Sequence, residues 1–221
     1  MSQLLHINTA LETAYVAVSR DDKVISERRS HNQKEHAAFL HAAIDDMLRE
    51  NEIAPSDLAG VSVISGPGSY TGLRVGMACA KGLCFALSIP LINVNTLEWM
   101  AASANDEEQD LFCPMIDARR MEVFTAIYDR RKTCLLQPQA VILSSESFSD
   151  WLKEKKILFF GNGAEKFRKI MIHPNASFAT LISGAQELAV IAWGKYVNSD
   201  FFDLAYAEPL YVKEFQGTTP T

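Results

Sequence analysis

The sequence lacks the side-chain groupings on which most hydrolytic enzymes depend. Its five histidines form neither an H-x-x-x-H nor an H-E-x-x-H pair, and no G-x-S-x-G nucleophile elbow occurs. We therefore predict that the histidines are surface or flanking residues. A peptidase needs a bound metal or an activated nucleophile, and the sequence supplies a pattern for neither.

Cysteine and long apolar runs are also scarce. The four cysteines form no C-x-x-C pair, and their apolar surroundings predict reduced, buried thiols. These are Cys79, Cys84, Cys113 and Cys134. The longest apolar run, 75–94, is interrupted by Lys81 and Pro90, whereas a membrane helix needs about 20 uninterrupted apolar residues. Because the basic start typical of a signal peptide is also missing, we predict a cytoplasmic protein.

Positive charge is in deficit, since 21 Lys and Arg residues stand against 27 Asp and Glu residues and the formal net charge is −6. An acidic surface is a poor counterion for a phosphate backbone, so we do not expect the chain to bind nucleic acid by itself. Its 221 residues are enough for one large domain or two small ones, each with a hydrophobic core.

Hydrophobic periodicity predicts two similar α/β lobes, because the order strand–strand–strand–helix–strand occurs twice. The polar, acidic run 105–110 separates them, and we divide the chain into lobes 1–108 and 109–221. A helix is expected after Asn32, which can form a capping box with Glu35. The other predicted helices span 73–87, 96–103, 146–153 and 184–197, and one more begins near 164. The predicted strands span 4–7, 14–19, 24–29, 61–65, 91–94, 113–117, 122–129, 140–143 and 157–160.

The glycine-rich segment Gly66–Gly72 joins a buried strand to a helix. Its G-x-G-x-x-x-G spacing matches neither a P-loop nor the dinucleotide fingerprint. A helix start can hold an anion, but a tight turn with a close helix–strand approach explains the glycines more simply. We favour the second interpretation.

The helix after this loop carries two rows of small residues. One row is Gly72, Gly76 and Ala80, and the other is Ala78, Gly82 and Ala86. A glycine inside a helix costs about 1 kcal/mol relative to alanine, so the close approach of another backbone is the simplest reason for these glycines. Only Arg74 and Lys81 are charged between 73 and 87, so the helix is either buried on both sides within its lobe or covered by a partner on one face. We favour a protein interface.

Two short segments could contact a nucleotide. Asp117 ends a strand, where it suits either an acid or magnesium-water position or the capping of a hairpin, and the residues do not separate these roles. Gly161-Asn162-Gly163 links a strand to a helix. It could lie against an adenine or a ribose, although a plain turn is the commoner explanation.

Several segments together carry a family pattern. The densest are Ser65-Gly66-Pro67-Gly68-Ser69-Tyr70-Thr71-Gly72-Leu73-Arg74-Val75-Gly76, Ala80-Lys81-Gly82-Leu83 and Val94-Asn95-Thr96-Leu97. Further matching segments are Ile116-Asp117-Ala118-Arg119, Glu122-Val123-Phe124 and Glu208-Pro209-Leu210-Tyr211. With these segments the chain closely resembles the TsaB family, whose bacterial members take part in tRNA threonylcarbamoyladenosine biosynthesis.

This resemblance implies an actin-like ATPase fold with two ribonuclease-H-like lobes in tandem. It also implies a non-catalytic subunit that binds and activates a related TsaD-type threonylcarbamoyltransferase, with a TsaE-type ATPase as a further partner. The complex modifies adenosine 37 of tRNAs that read codons starting with A, so tRNA is expected to be bound only through the complex. No membrane partner is expected.

The resemblance further implies that the chain pairs through its first two long helices, both with the TsaD-type subunit and as a homodimer when alone. The implied interface residues are Ala37, Leu40, Ile44, Met47, Gly72, Leu73, Gly76, Ala80 and Leu83.

Departures from the catalytic relatives argue against an active site. Those relatives carry a metal-binding H-x-x-x-H whose two positions correspond here to Thr96 and Met100, and a hydroxyl and a thioether cannot replace two imidazoles. The first strand ends in Asn8 where the family usually has Asp, although Asn8 can still cap a turn. The alternative function is a free-standing nucleotide-dependent enzyme or a glycoprotease-like metallopeptidase.

No cofactor is expected to be required, and ATP or ADP is expected to bind only weakly or at a subunit interface. The candidate nucleotide contacts are Thr9, Asp117, Arg119, Gly161 and Gly163.

Overall fold

A computed structural model describes residues 1–32, 36–181 and 183–213 of the chain. Its strands are β1 (Gln3–Asn8), β2 (Ala14–Arg20), β3 (Lys23–Ser30), β4 (Leu58–Gly66), β5 (Leu91–Asn95), β6 (Leu111–Asp117), β7 (Glu122–Asp129), β8 (Cys134–Ile142), β9 (Ile157–Phe160) and β10 (Ala176–Ala179). Its α-helices are α1 (His36–Glu50), α2 (Tyr70–Leu87), α3 (Thr96–Ala102), α4 (Ser149–Leu152), α5 (Ala164–Arg168) and α6 (Ala185–Val197).

The strands form two five-stranded sheets of the same topology. The first has the order β3-β2-β1-β4-β5 and the second the order β10-β9-β6-β7-β8. In each sheet, the three strands that come first in the chain pair antiparallel. The remaining two strands run parallel to the first strand of that sheet. This arrangement confirms the predicted α/β class, an actin-like fold of two ribonuclease-H-like sheets in tandem.

The chain divides into two compact units that differ from the predicted lobes. The first unit comprises Met1–Ser103 together with Ser183–Leu210, and the second holds the remaining described residues. The difference from a division at 108/109 arises because α6 returns to the first sheet, where it packs against β1, β3 and β5. The helix is apolar almost all round, so its sequence does not indicate which sheet it covers.

Three elements of the second unit differ from their predictions. β10 was not predicted, β8 is longer than the predicted strand at 140–143, and α4 is shorter than the predicted helix at 146–153. β8 is an edge strand that contains Pro138, and proline is tolerated only where no ladder hydrogen bond needs its missing N–H. Glu35 of the predicted capping box lies outside the described residues.

The core of the first unit lies between one face of its sheet and the helices α1 and α2. Buried side chains of β1, β2 and β4 meet those of the two helices there. The four cysteines are free, and three are buried as predicted, whereas Cys134 is half-buried. Within the described part of the chain, no helix has the length and apolar character that crossing a membrane requires.

One histidine, His6, is fully buried in β1, so the prediction of a surface or flanking residue is wrong for it. Its Nδ1 lies 2.7 Å from the Ser62 hydroxyl and its Nε2 lies 2.8 Å from the Ser19 hydroxyl. The Ser19 hydroxyl donates to the Asp21 carbonyl at 2.9 Å, so it accepts from Nε2–H while Nδ1 accepts from Ser62. Burial of the neutral ring lowers the pKa of His6 to about 3.

We expect His6 to make the fold less stable in acid. The unfolded imidazole takes up a proton below its ordinary pKa of 6.5, whereas the folded one stays neutral down to about pH 3. With respect to His6, the free energy of unfolding therefore has its full value above pH 6.5. It falls by about 1.4 kcal/mol for each pH unit below that value. Urea unfolding between pH 7 and pH 4 measures this slope. His6→Gln should lose this part of the slope, and equal slopes in the two proteins would contradict the assignment.

Candidate interaction surface and candidate nucleotide position

The glycine-rich loop holds the start of α2 against the end of β1. The Ser69 hydroxyl caps the helix by accepting from the Gly72 amide at 3.3 Å, and the Ser69 amide donates to the Ala10 carbonyl at 2.7 Å. The Thr9 hydroxyl donates to the Gly72 carbonyl at 2.6 Å. The loop is therefore a packing device, as favoured from the sequence.

Three glycines make this approach possible. A Cβ atom would lie 2.4 Å from the Ala10 carbonyl oxygen at Gly68 and 2.0 Å from the Thr9 carbonyl oxygen at Gly72. At Gly76 it would lie 2.4 Å from the Thr9 hydroxyl oxygen. Another backbone does approach Gly68 and Gly72, and the Thr9 side chain approaches Gly76, but all of these contacts lie within the same unit rather than with a partner.

Most of the implied interface residues consequently face the core of the first unit. Buried are Leu40, Ile44, Met47, Gly72, Leu73, Gly76 and Ala80, whereas Leu83 is half-buried and Ala37 is exposed. A side chain that already fills the core has no surface left for a partner. This corrects the choice of residues: the row formed by Gly72, Gly76 and Ala80 packs against the chain's own sheet.

The second small-residue row of α2 faces outward. Ala78, Gly82 and Ala86 are exposed, and a Cβ atom on Gly82 would meet nothing within 4 Å. Phe85 lies beside this row with 80% of its surface exposed. One face of α2 is therefore left uncovered by the described residues of its unit.

Helix α1 packs beside α2 and adds exposed small residues of its own. On the outward face of the two helices, beside exposed charged residues such as Asp45 and Arg74, lie six small or apolar exposed residues that we call the α1–α2 surface: Ala38, Ala42, Ala78, Gly82, Phe85 and Ala86. Small side chains allow a partner helix to come close, and an exposed aromatic ring is the type of residue that contributes most to binding energy at protein interfaces. The surface therefore suits a helix-bearing protein partner.

The structure brings four of the five candidate nucleotide contacts together at the end of β6. Asp117 Oδ1 accepts from the Arg119 amide at 2.5 Å and from Lys166 Nζ at 2.9 Å, and the Asp117 amide donates to Asn162 Oδ1 at 2.9 Å. Partial burial tends to raise the pKa of Asp117, but the hydrogen bonds from Lys166 and the Arg119 amide outweigh it and lower the pKa. Of the two roles open from the sequence, the geometry shows the hairpin cap.

The two neighbouring glycines serve a turn and a close approach. Gly161 has a φ of +96°. A Cβ atom on Gly163 would lie 3.1 Å from the Asp117 amide nitrogen and 2.8 Å from a methyl carbon of Val123. The plain-turn interpretation of this segment therefore accounts for both residues. The fifth candidate, Thr9, belongs to the first unit, where its hydroxyl is bound to Gly72.

The two positions that the family resemblance relates to metal ligands lie in the interior of the first unit. Thr96 and Met100 are both buried in α3. No cluster of three or more His, Cys, Asp or Glu side chains that could hold a metal occurs among residues 1–32, 36–181 and 183–213. Asn8 caps a turn as predicted, since its Oδ1 accepts from the Ala10 amide at 3.0 Å.

Comparison with known proteins relates the chain to one family. Residues 23–207 match the family model described as TsaD: tRNA N6-adenosine threonylcarbamoyltransferase. The chain is 35% identical over 173 residues to the tRNA threonylcarbamoyladenosine biosynthesis protein TsaB of Bacillus subtilis, with 76% of this chain and 74% of that protein covered. It is 25% identical over 228 residues to the protein of the same name from Escherichia coli, with 96% and 94% covered.

Two solved structures from Pseudomonas aeruginosa share the fold. One is an uncharacterized protein with similarity to peptidase YEAZ, with a TM-score of 0.81, 25% identity and coverage of 96% of this chain and 100% of that chain. The other is YeaZ, with a TM-score of 0.77, 24% identity and the same coverage.

Proposed function

The chain belongs to the TsaB family, and from this premise we propose that it is a non-catalytic subunit that binds and activates a TsaD-type threonylcarbamoyltransferase. The names of its relatives assign them to tRNA threonylcarbamoyladenosine biosynthesis. The reaction that the complex performs is the formation of threonylcarbamoyladenosine at position 37 of tRNAs that read codons starting with A. A TsaE-type ATPase is the further partner, and this role in tRNA modification implies a cytoplasmic location.

The α1–α2 surface is the observation that carries this proposal. It combines five exposed small residues with Phe85, and it lies on two adjacent helices that the core of the first unit holds in place. The family model that matches the chain is the TsaD model, so a TsaD-type partner has related helices to place against it. A second copy of the chain can use the same surface, which supports a homodimer when the catalytic subunit is absent.

The residues of the second unit support a subunit that does not catalyse the transfer itself. Asp117 Oδ1 accepts from the Arg119 amide and from Lys166, and the nearby carboxylate of Glu122 is bound to Lys213 at 2.9 Å, so both carboxylates already have cationic partners within the chain. We expect no cofactor to be required by the isolated chain. ATP or ADP is expected to bind weakly or at the junction with the partner, and tRNA only through the complex.

Light scattering during gel filtration tests the partnership. The chain alone should elute as a homodimer, and a mixture with the TsaD-type subunit of the same organism should give a one-to-one heterodimer. An unchanged profile for both proteins in the mixture would contradict the proposal. Saturable hydrolysis of magnesium–ATP by the isolated chain would instead favour the free-standing enzyme.

A further inference from the structure

The ammonium group of Lys166 lies in a ring of three oxygen atoms at the hairpin between β6 and β7. Its Nζ donates to Asp117 Oδ1 at 2.9 Å, to the Arg120 carbonyl at 2.8 Å and to the Glu122 carbonyl at 2.6 Å. Only 15% of the Lys166 side chain is exposed. A lysine ammonium has three N–H donors and no acceptor, so all of its hydrogen-bonding capacity is used here.

The three oxygens are the kind of ligands that hard divalent cations prefer. One carboxylate and two backbone carbonyls would suit Mg²⁺ or Ca²⁺ if the ammonium were absent. With Lys166 in place the residues do not fit a metal-bound phosphate, because a positive charge already occupies the centre of the ring. The other carboxylate of the hairpin, Glu122, is bound to Lys213 at 2.9 Å.

The hairpin also needs a stabilising contact, since its backbone is unfavourable. Arg119 and Arg120 have φ values of 69° and 50°, in the left-handed region that favours glycine. Lys166 binds the Arg120 carbonyl directly, and it binds the same Asp117 oxygen that accepts from the Arg119 amide. Its contacts therefore hold both left-handed residues in place.

We propose that the Lys166 ammonium is a built-in cation that takes the structural place of a divalent metal at the Asp117–Glu122 hairpin and closes this hairpin to metal-bound phosphate. The ring of oxygens is then a cation site whose permanent occupant is part of the chain. The proposal does not depend on the function proposed above.

Lys166→Ala tests the proposal, because it empties the ring without changing the three oxygens. We expect the melting temperature to fall by about 4 °C and to be partly restored by methylammonium chloride, compared with sodium chloride at the same ionic strength. Mn²⁺ should bind to this variant at a site that wild type lacks. The loss of the electron paramagnetic resonance signal of free Mn²⁺ measures this binding. Adding Asp117→Asn should abolish both the Mn²⁺ binding and the rescue.

Two controls separate this role from that of an ordinary surface lysine. Lys153 forms an exposed ion pair with Asp150 at 2.7 Å, and Lys153→Ala should change neither the melting temperature nor Mn²⁺ binding. Lys166→Met, which keeps the apolar stem, replaces the alanine variant if that protein does not fold. A Lys166 variant that melts like wild type, or that gains neither methylammonium nor Mn²⁺ binding, would overturn the proposal.

Discussion

Gly72→Ala should lower the free energy of unfolding by about 3 kcal/mol, although it adds a single methyl group. The new Cβ would lie 2.0 Å from the carbonyl oxygen of Thr9, which is backbone at the end of a central strand. Neither side can move easily, because β1 is paired on both edges and Ser69 and Thr9 bind the start of α2. Urea unfolding at pH 7 measures the loss.

Gly82→Ala is the matched control on the same helix. A Cβ atom there meets nothing within 4 Å, so only the higher helix propensity of alanine remains, and we expect a gain of up to about 1 kcal/mol. Equal stability of the two variants would show that α2 does not approach the end of β1 as closely as the structure has it.

These two glycines show what the sequence could and could not indicate about α2. The position of the helix and the need for a close contact at Gly76 were predictable, because a glycine within a helix has a cost that must be offset. The contact there is the Thr9 side chain and not the predicted backbone. The partner of each face was not predictable. A row that packs on the chain's own sheet and a row that packs on another protein have the same small, apolar composition, and only Thr9, distant in the sequence, distinguishes them.

The order of strands was predictable to a greater extent than the division into units. Strand β9 is a continuous apolar run and β1 is an apolar run interrupted by His6, and the repeated order of elements indicated two related lobes. The return of α6 to the first sheet was not predictable, since an almost wholly apolar helix is compatible with either sheet. The short edge strand β10 has no clear alternation, because its four residues are all half-buried.

The candidate nucleotide position shows the same limit. Asp117, Arg119, Gly161 and Gly163 were predicted individually, and the structure brings them together. The residue that determines what this site can do is Lys166, which local patterns did not single out. Its three oxygen partners lie 44 to 49 positions earlier in the chain, so a lysine in a short helix gives no local signal of an internal ion pair.

Phe85→Lys should weaken binding to a TsaD-type subunit by about 100-fold. An aromatic hot-spot residue near the centre of an interface accounts for about 2 kcal/mol or more, and the ammonium group would have to be buried without a partner against the same surface. The fold should be unaffected, because Phe85 is 80% exposed and a cation near the last turn of a helix is favourable. Titration calorimetry with the purified partner measures the change.

The matched control for Phe85→Lys is Ile172→Lys, which replaces an isoleucine that is 97% exposed in the second unit. Both variants remove one exposed apolar side chain and add one positive charge, so a general effect of charge would weaken binding equally in the two. Loss of binding in Phe85→Lys alone places the partner on the outward face of α2. If only Ile172→Lys loses binding, or neither does, the partner does not use the α1–α2 surface, and the exposed row of Ala78, Gly82 and Ala86 has another cause.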